Sequence, residues 1–163
     1  MTSETRIPVA GRDIRAVGPG SDRDSLRVAY LELLKLTLCD LAGTRTVSVG
    51  RTKSGRPFTR ELDGEQLKLR SAGLDWPLTG LSMIGLGRLD DLQQCVESAI
   101  DDGVEGDMLE AGAWRGGASM VIRATLDTLG ATDRTVWVAD SFQGFPTPDP
   151  ETYPADSATQ VDS

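Results

Sequence analysis

Residues Asp107–Ser141 read DMLEAGAWRGGASMVIRATLDTLGATDRTVWVADS, and the architecture we expect follows from this segment. Its first apolar residues predict a short buried strand, followed by a glycine turn that begins at Gly112. Apolar residues at helical spacing then predict a helix over 118–129, and TVWVA predicts a second buried strand that ends at Asp140. This order indicates a βαβ unit with parallel strands over about 106–145.

The glycine turn of such a unit has a physical role in ligand binding. Glycine adopts positive φ angles and lets a ligand approach the backbone, while the next helix begins with unpaired N–H groups. Asp140, at the end of the second strand, stands where such units bind the two hydroxyls of a ribose. The spacing Gly-x-x-x-Gly-Gly differs from the G-x-G-x-x-G of dinucleotide sites, and Glu110 before the turn would repel a pyrophosphate.

A carboxylate at Glu110 suits a ligand that carries a cationic ammonium group. S-adenosylmethionine has an ammonium, a sulfonium and a ribose, and it has no phosphate. The residues alone therefore leave three interpretations open, namely a methyl-donor site, a site for another nucleotide and a purely structural βαβ unit.

The composition limits the classes of function. The chain has 163 residues, of which 39% are hydrophobic and 26% charged, as expected for one globular domain. Its formal net charge of −8 disfavours nucleic acid and anionic membrane surfaces as partners. Histidine is absent, which excludes Ser-His-Asp catalysis and histidine-based zinc sites. Because the sequence shows neither a secretory signal nor a membrane-spanning apolar run, we expect a cytoplasmic protein.

The rest of the sequence predicts a leader, two helices and a loop. Residues 1–24 lack an apolar period and predict a flexible leader. Ser25 is a candidate N-cap for an amphipathic helix over Leu26–Leu41, whose apolar stripe would cover a sheet or the same helix of a second copy in a homo-oligomer. Residues 43–77 predict a solvated loop or a mobile lid, with short strands or a hairpin as the alternative. Apolar spacing over Leu89–Ile100 predicts the second helix.

Four segments of the sequence carry a family resemblance: YLELLKLTL, SMIGLGRLDDLQQCVE, GDMLEAGAWRGGAS and DRTVWVADSFQGFPTPDPETYPAD. They span about Tyr30–Asp156 apart from the loop, and they resemble the macrocin O-methyltransferase family. The resemblance implies an α/β, Rossmann-like class I methyltransferase fold over 25–163, represented by its N-terminal helices and first βαβ unit. It also implies S-adenosylmethionine-dependent methylation of a sugar hydroxyl, with a small glycosylated natural product as the acceptor.

The resemblance further implies which residues bind the cofactor: Ser82, Met83, Glu110, Gly112, Trp114, Gly116, Asp140, Ser141, Phe142 and Gln143. The first two would lie against the methionine part, and the next three would surround its amino-acid end. Gly116 would begin the helix, and Asp140 would hold the ribose. The three residues after Asp140 would border the adenine.

Family members are expected to continue beyond the ADSFQGFP segment with a region that supplies Mg²⁺ ligands and a catalytic histidine. We therefore expect the catalytic residues in a C-terminal half that this sequence does not contain, and we assign no metal ligand here. Asp149, Glu151 and Asp156 are predicted to lie in a solvated loop. The alternative is a non-catalytic interaction module or a relic of such an enzyme. A sheet of two or three strands would leave an exposed edge and an uncovered face.

Overall fold

A computed structural model describes residues 6–9, 12–15, 21–43, 45–144, 149 and 151–152 of the chain. Six strands and four helices occur among these residues. In chain order they are β1 (Arg6–Val9), β2 (Arg12–Arg15), α1 (Arg23–Leu38), β3 (Val47–Arg51), β4 (Pro57–Glu61), α2 (Gly64–Ala72), α3 (Gly85–Asp101), β5 (Met108–Ala111), α4 (Gly117–Leu129) and β6 (Val136–Ala139).

Helix α1 begins after Asp22 rather than after Ser25, so the predicted cap is wrong. The Asp22 carboxylate accepts the Ser25 backbone N–H at 2.7 Å, which also holds the pKa of this carboxyl below its usual value. Within the predicted leader, β1 and β2 form an antiparallel pair. This pair was not predicted, because the residues of the leader show no apolar period. The other leader residues up to 20 and the predicted loop residue Asp156 lie outside the described residues.

The buried face of α1 matches the predicted apolar stripe only in part: Leu38 and Leu41 of that stripe are buried, but its other members, Leu26, Tyr30, Leu33 and Leu34, are not. Leu31 and Lys35 are buried, whereas Tyr30 and Leu33 of that stripe are 51% and 55% exposed. Lys35 enters the core because its ammonium donates to the Asp90 carboxylate of α3 at 2.5 Å. A buried charge is tolerated only when it is paired in this way, and the pairing fixes which side of α1 faces inward.

The predicted loop over 43–77 contains regular structure, so its interpretation as a solvated loop is wrong. Strands β3 and β4 form an antiparallel hairpin in which Val47 lies opposite Glu61, which confirms the alternative of a hairpin. Helix α2 was not predicted because its sequence, GEQLKLRSA, is mostly polar. The side chain that α2 buries is that of a charged residue, Arg70.

Arg70 fastens α2 to the end of α1 and to β3. Its Nε donates to the Asp75 carboxylate at 2.7 and 3.0 Å, and its Nη2 donates to the Val47 carbonyl at 2.9 Å. Its Nη1 donates to the Cys39 carbonyl at 3.3 Å. Because the guanidinium finds a carboxylate and two carbonyls, its burial at 1% exposure is compensated.

Helices α1, α3 and α4 form the hydrophobic core. Helix α3 lies between two groups of buried residues, one shared with α1 and α4 and one shared with α4 alone. These groups contain Leu36, Leu38, Cys39, Leu41, Leu86, Leu89 and Val121, and Val96, Ile122 and Leu126. Among the described helices there is none whose length and apolar character would let it span a bilayer.

Strands β5 and β6, which α4 connects, pair in parallel, with Met108 opposite Val136, as the βαβ prediction requires. Met108 and Val136 pack against the α3–α4 side of the core. On the other face Leu109 is 69% and Trp137 58% exposed, so the prediction that both strands are buried is wrong. The physical reason is that the described helices cover one face of this sheet, and two parallel strands need a layer on both.

Candidate functional site

The turn between β5 and α4 is shaped by glycines and faces open space. Gly112 and Gly116 have φ angles of 81° and 79°, in the region that favours glycine. The Gly112 N–H donates to the Ala139 carbonyl at 2.8 Å, which extends the parallel ladder beyond β5. A Cβ added at either glycine would meet no atom within 4 Å. A ligand can therefore approach the backbone here, at the uncapped start of α4.

Asp140 closes this turn by binding the backbone on both of its sides. Its Oδ2 accepts the Trp114 N–H and its Oδ1 accepts the Phe142 N–H, each at 2.9 Å. Trp114 and Phe142 have φ angles of 51° and 52°, and such strained backbone conformations cost about 1–3 kcal/mol each. One carboxylate thus fixes two left-handed residues, one in the glycine turn and one just after β6.

The same two hydrogen bonds set the charge of Asp140. The Phe142 N–H first, and the Trp114 N–H next, hold the pKa of this carboxyl below its ordinary value of 3.8. Asp140 is therefore ionised at neutral pH. Each of its oxygens has a second lone pair, so the carboxylate can still accept two hydroxyl protons from a ligand such as a ribose.

Glu110 is held from the first turn of α4. The Ser119 hydroxyl donates to the Glu110 Oε2, and Ser119 is itself buried. Ser119 is not among the residues predicted for the site, although a hydroxyl two residues after the double glycine is a signal that could have indicated a partner for the acid. This hydrogen bond orients the Glu110 carboxylate toward the first turn of α4.

The segment that carries Ser82 and Met83 lies against the start of α4. The Gly117 N–H donates to the Leu81 carbonyl at 3.1 Å, and a Cβ added to Gly117 would lie 2.8 Å from the Ser82 Cβ. Leu81 and Ser82 both donate their N–H groups to the Leu38 carbonyl, at 2.8 and 3.0 Å. Ser82 is buried in this contact and Met83 is half-buried. The structure therefore brings residues 82–85, the SMIG segment, next to the glycine turn.

The residues after Asp140 form a tight turn of their own. The Ser141 hydroxyl accepts the Gln143 N–H and donates to the Gly144 carbonyl, both at 3.3 Å. The Phe142 side chain is 67% exposed. This turn follows directly on Asp140, whose Oδ1 accepts the Phe142 N–H.

The Trp114 ring is enclosed by two residues that the sequence analysis did not single out. The Trp76 ring meets it edge-on at 5.7 Å between centroids, and the Arg115 guanidinium lies 4.2 Å from its centroid. No local pattern indicated the contact with Trp76, because that residue comes from the region predicted as a loop.

Two depressions adjoin this area. A cavity of about 400 Å³ lies beside Glu110 and is also lined by Ile84, Arg88 and Ala118. A larger groove of about 810 Å³ passes from Gly116 and Ser119 along α4 and β6, with Tyr30 and Leu34 of α1 also lining it. Within the part of the chain that the structure describes, no group of three or more His, Cys, Asp or Glu side chains could hold a metal ion.

The parallel β5–α4–β6 unit, its glycine turn and the acid after β6 define part of a Rossmann-like methyltransferase fold. The solved structure of the O-methyltransferase NovP is similar, with a TM-score of 0.58 and 38% identity, over 74% of this chain and 44% of that chain. The sequence profile of the family described as Macrocin-O-methyltransferase (TylF) matches residues 27–163, and the chain belongs to this family. The predicted family and fold class are thereby confirmed.

Curated relatives carry related names. The Mycinamicin III 3''-O-methyltransferase of Micromonospora griseorubida is 44% identical over 128 residues, which are 78% of this chain and 48% of that protein. The 8-demethyl-8-(2,3-dimethoxy-alpha-L-rhamnosyl)-tetracenomycin-C 4'-O-methyltransferase of Streptomyces olivaceus is 44% identical over 124 residues, 76% of this chain and 44% of that protein. The chain therefore spans about half the length of the curated relatives it matches.

Proposed function

We propose that this chain carries the cofactor-binding part of an S-adenosylmethionine-dependent O-methyltransferase that acts on a sugar hydroxyl of a glycosylated natural product. The observation that carries the proposal is Asp140, whose carboxylate accepts the Trp114 and Phe142 N–H groups and so fixes the glycine turn, beside which Gly112 and Gly116 leave open space. The names of the relatives support the acceptor class, because one of them contains a rhamnosyl group and all describe O-methylation.

The charges around the turn favour this cofactor over a dinucleotide. Glu110 is the penultimate residue of β5, just before the turn, and Asp140 follows β6 and accepts the Trp114 N–H of the turn. A pyrophosphate at the turn would face the Glu110 carboxylate and be repelled, whereas the ammonium of S-adenosylmethionine would be attracted. The open space beside Gly112 and Gly116 leaves room for a ligand against the backbone of the turn.

In this proposal each residue of the site has a binding or orienting role. Glu110, oriented by Ser119, would attract the ammonium, and Asp140 would accept the ribose hydroxyl protons. Ser82 and Met83 would border the methionine part, with Gly112, Trp114 and Gly116 forming the turn beneath it. The last three residues of the site, Ser141, Phe142 and Gln143, would border the adenine.

S-adenosylmethionine, when bound, supplies an activated methyl group on its sulfonium. The residues of this chain would hold and orient it so that an acceptor hydroxyl can approach in line with the methyl. The proton of that hydroxyl must pass to a base, and we assign none of the described residues to this task. Since the described residues offer no cluster for the Mg²⁺ that the family resemblance implies, we derive no step through a metal.

Calorimetric titration of the full 163-residue chain with S-adenosylmethionine tests the proposal. Glu110→Gln and Asp140→Asn should each weaken binding about tenfold or more, because each removes a charge that contacts the ligand. Glu105→Gln and Asp133→Asn are matched controls at exposed positions and should bind as the parent does. Parent-like affinity in both site variants would reject the roles assigned to these two acids.

A second candidate function, non-catalytic assembly, is favoured by the exposed apolar stripe of α1. Leu26, Tyr30 and Leu33 are each more than half exposed, and they follow one another along one side of the helix. We propose this stripe as a contact with a second copy of the chain. Sedimentation equilibrium should show a dimer that Leu33→Lys dissociates. A parent protein that sediments as a monomer would exclude this candidate.

A further inference from the structure

Arg115, in the glycine turn, binds the backbone of residues 77–80, a segment about 35 residues earlier in the sequence. Its Nη1 donates to the Gly80 carbonyl at 2.9 Å, the Leu78 carbonyl at 3.0 Å and the Pro77 carbonyl at 3.4 Å. Its guanidinium also lies 4.2 Å from the centre of the Trp114 ring. Few side chains can do both, because the planar guanidinium donates in several directions while it stacks on an aromatic face.

The segment that Arg115 binds, extended to residues 76–80, is also hydrogen-bonded to the β3–β4 hairpin. The Val49 N–H donates to the Trp76 carbonyl at 2.8 Å, and the Leu78 N–H donates to the Val47 carbonyl at 3.1 Å. The Trp76 ring then meets the Trp114 ring at an interplanar angle of 76°, an edge-to-face arrangement that stabilises aromatic pairs. The hairpin, the segment and the turn are therefore connected by backbone hydrogen bonds and ring contacts.

Trp114 is the residue at which this connection reaches the cofactor site. Its backbone has a φ angle of 51° and its N–H binds Asp140, so both its ring and its N–H are held. We infer that Arg115 is a positioning residue of the cofactor site, which keeps Trp114 in its left-handed conformation by clamping the 76–80 segment and the Trp76–Trp114 pair over the turn. This inference rests on the proposed function.

The variants that test it are Arg115→Met and Arg115→Lys. Methionine keeps the length of the side chain without its charge or donors, whereas lysine keeps a charge that can still lie over the ring and donate to a carbonyl. Arg123→Met is the matched control, since the Nη1 of Arg123 donates to the Arg134 carbonyl at 2.7 Å near the other end of α4. A Trp137→Phe background leaves Trp76 and Trp114 as the tryptophans of the chain.

Two readouts distinguish positioning from general stabilisation. Far-ultraviolet circular dichroism reports the exciton coupling of the Trp76–Trp114 pair, and calorimetry reports the affinity for S-adenosylmethionine. Arg115→Met should lose the exciton signal and bind about tenfold more weakly, and Arg115→Lys should fall between it and the parent. Arg123→Met should keep both the signal and the affinity, even where thermal unfolding shows that it lowers the melting temperature.

The outcomes separate this inference from the proposal beneath it. A parent protein that binds S-adenosylmethionine, together with an Arg115→Met variant that binds equally well, overturns the positioning role and leaves the proposed function intact. Equal loss of affinity in Arg115→Met and Arg123→Met also overturns it, because general destabilisation then explains both. A parent protein that does not bind S-adenosylmethionine overturns the proposed function itself.

Discussion

Replacing Gly117 by alanine should destabilise the fold, because the space beside this glycine is already filled. A Cβ at Gly117 would lie 2.4 Å from the Leu81 carbonyl oxygen, 2.7 Å from its carbon and 2.8 Å from the Ser82 Cβ. Two of these atoms belong to the backbone, and the segment is anchored by the N–H groups of Leu81 and Ser82 on the Leu38 carbonyl. The segment and α4 must therefore move apart to admit the methyl group.

The magnitude follows from three contributions. Overpacking in a buried contact costs about 1–3 kcal/mol, and loss of the Gly117–Leu81 hydrogen bond costs about 0.5–1.5 kcal/mol. Exchange of glycine for alanine in a helix offsets about 0.5–1 kcal/mol of this. We therefore expect a net loss of about 0.5–4 kcal/mol in the free energy of unfolding, with a central value of about 2 kcal/mol.

Urea unfolding of Gly117→Ala, followed by circular dichroism, measures this loss. Gly87→Ala is the matched control, because Gly87 lies within α3 and an added Cβ there would meet no atom within 4 Å. The control should be as stable as the parent or gain up to about 1 kcal/mol. If Gly117→Ala proved as stable as Gly87→Ala, the SMIG segment would not lie against α4, and the position given to Ser82 would be wrong.

Three further perturbations test the paired charges of the fold. Arg70→Met should lower the unfolding free energy by about 3–5 kcal/mol in urea titration, because it leaves the buried Asp75 unpaired, and adding Asp75→Leu should recover part of that loss. Lys35→Met should cost less, about 1–2 kcal/mol in the same assay, since Asp90 is 27% exposed and regains water. The pKa of Asp107 is lowered, first by the Thr135 N–H and next by the Trp137 indole. The ionised Asp107 carboxylate therefore stabilises the fold at neutral pH, and this stabilisation is lost as the pH falls through the lowered folded-state pKa. Asp107→Asn should therefore lower the melting temperature at neutral pH and flatten its fall on acidification below about pH 4; a parallel fall in both proteins would contradict this.

The βαβ unit could be predicted from the sequence because its signals are local. The glycine turn at Gly112 and the acid at Asp140 stand next to the strands they end, and the apolar period of α4 lies between them. The predicted helix ends at Leu129, as α4 does, and it begins one residue after Gly117. The family resemblance rested on these same residues.

Other features depended on partners from distant segments. Lys35 is buried because it donates to Asp90 of α3, and Arg70 because it donates to the Cys39 and Val47 carbonyls as well as to the nearby Asp75. An apolar period predicts that such charged side chains face the solvent. The contact of Trp76 with Trp114 and the clamp by Arg115 likewise join segments about 35 residues or more apart, with no local signal.

The prediction that β5 and β6 are buried was wrong for a different reason. Leu109 and Trp137 are apolar and alternate correctly, so the sequence predicts burial for them. Whether such residues are covered depends on a second layer over the sheet, and the described helices supply one layer only.

Equilibrium dialysis of the full chain against S-adenosylmethionine and, in parallel, NAD tests the central claim most directly. The Glu110 carboxylate just before the turn predicts saturable binding of S-adenosylmethionine and no binding of NAD, whose pyrophosphate would face that charge. Equal binding of both ligands would contradict the methyl-donor site, and so would the absence of S-adenosylmethionine binding at millimolar concentration.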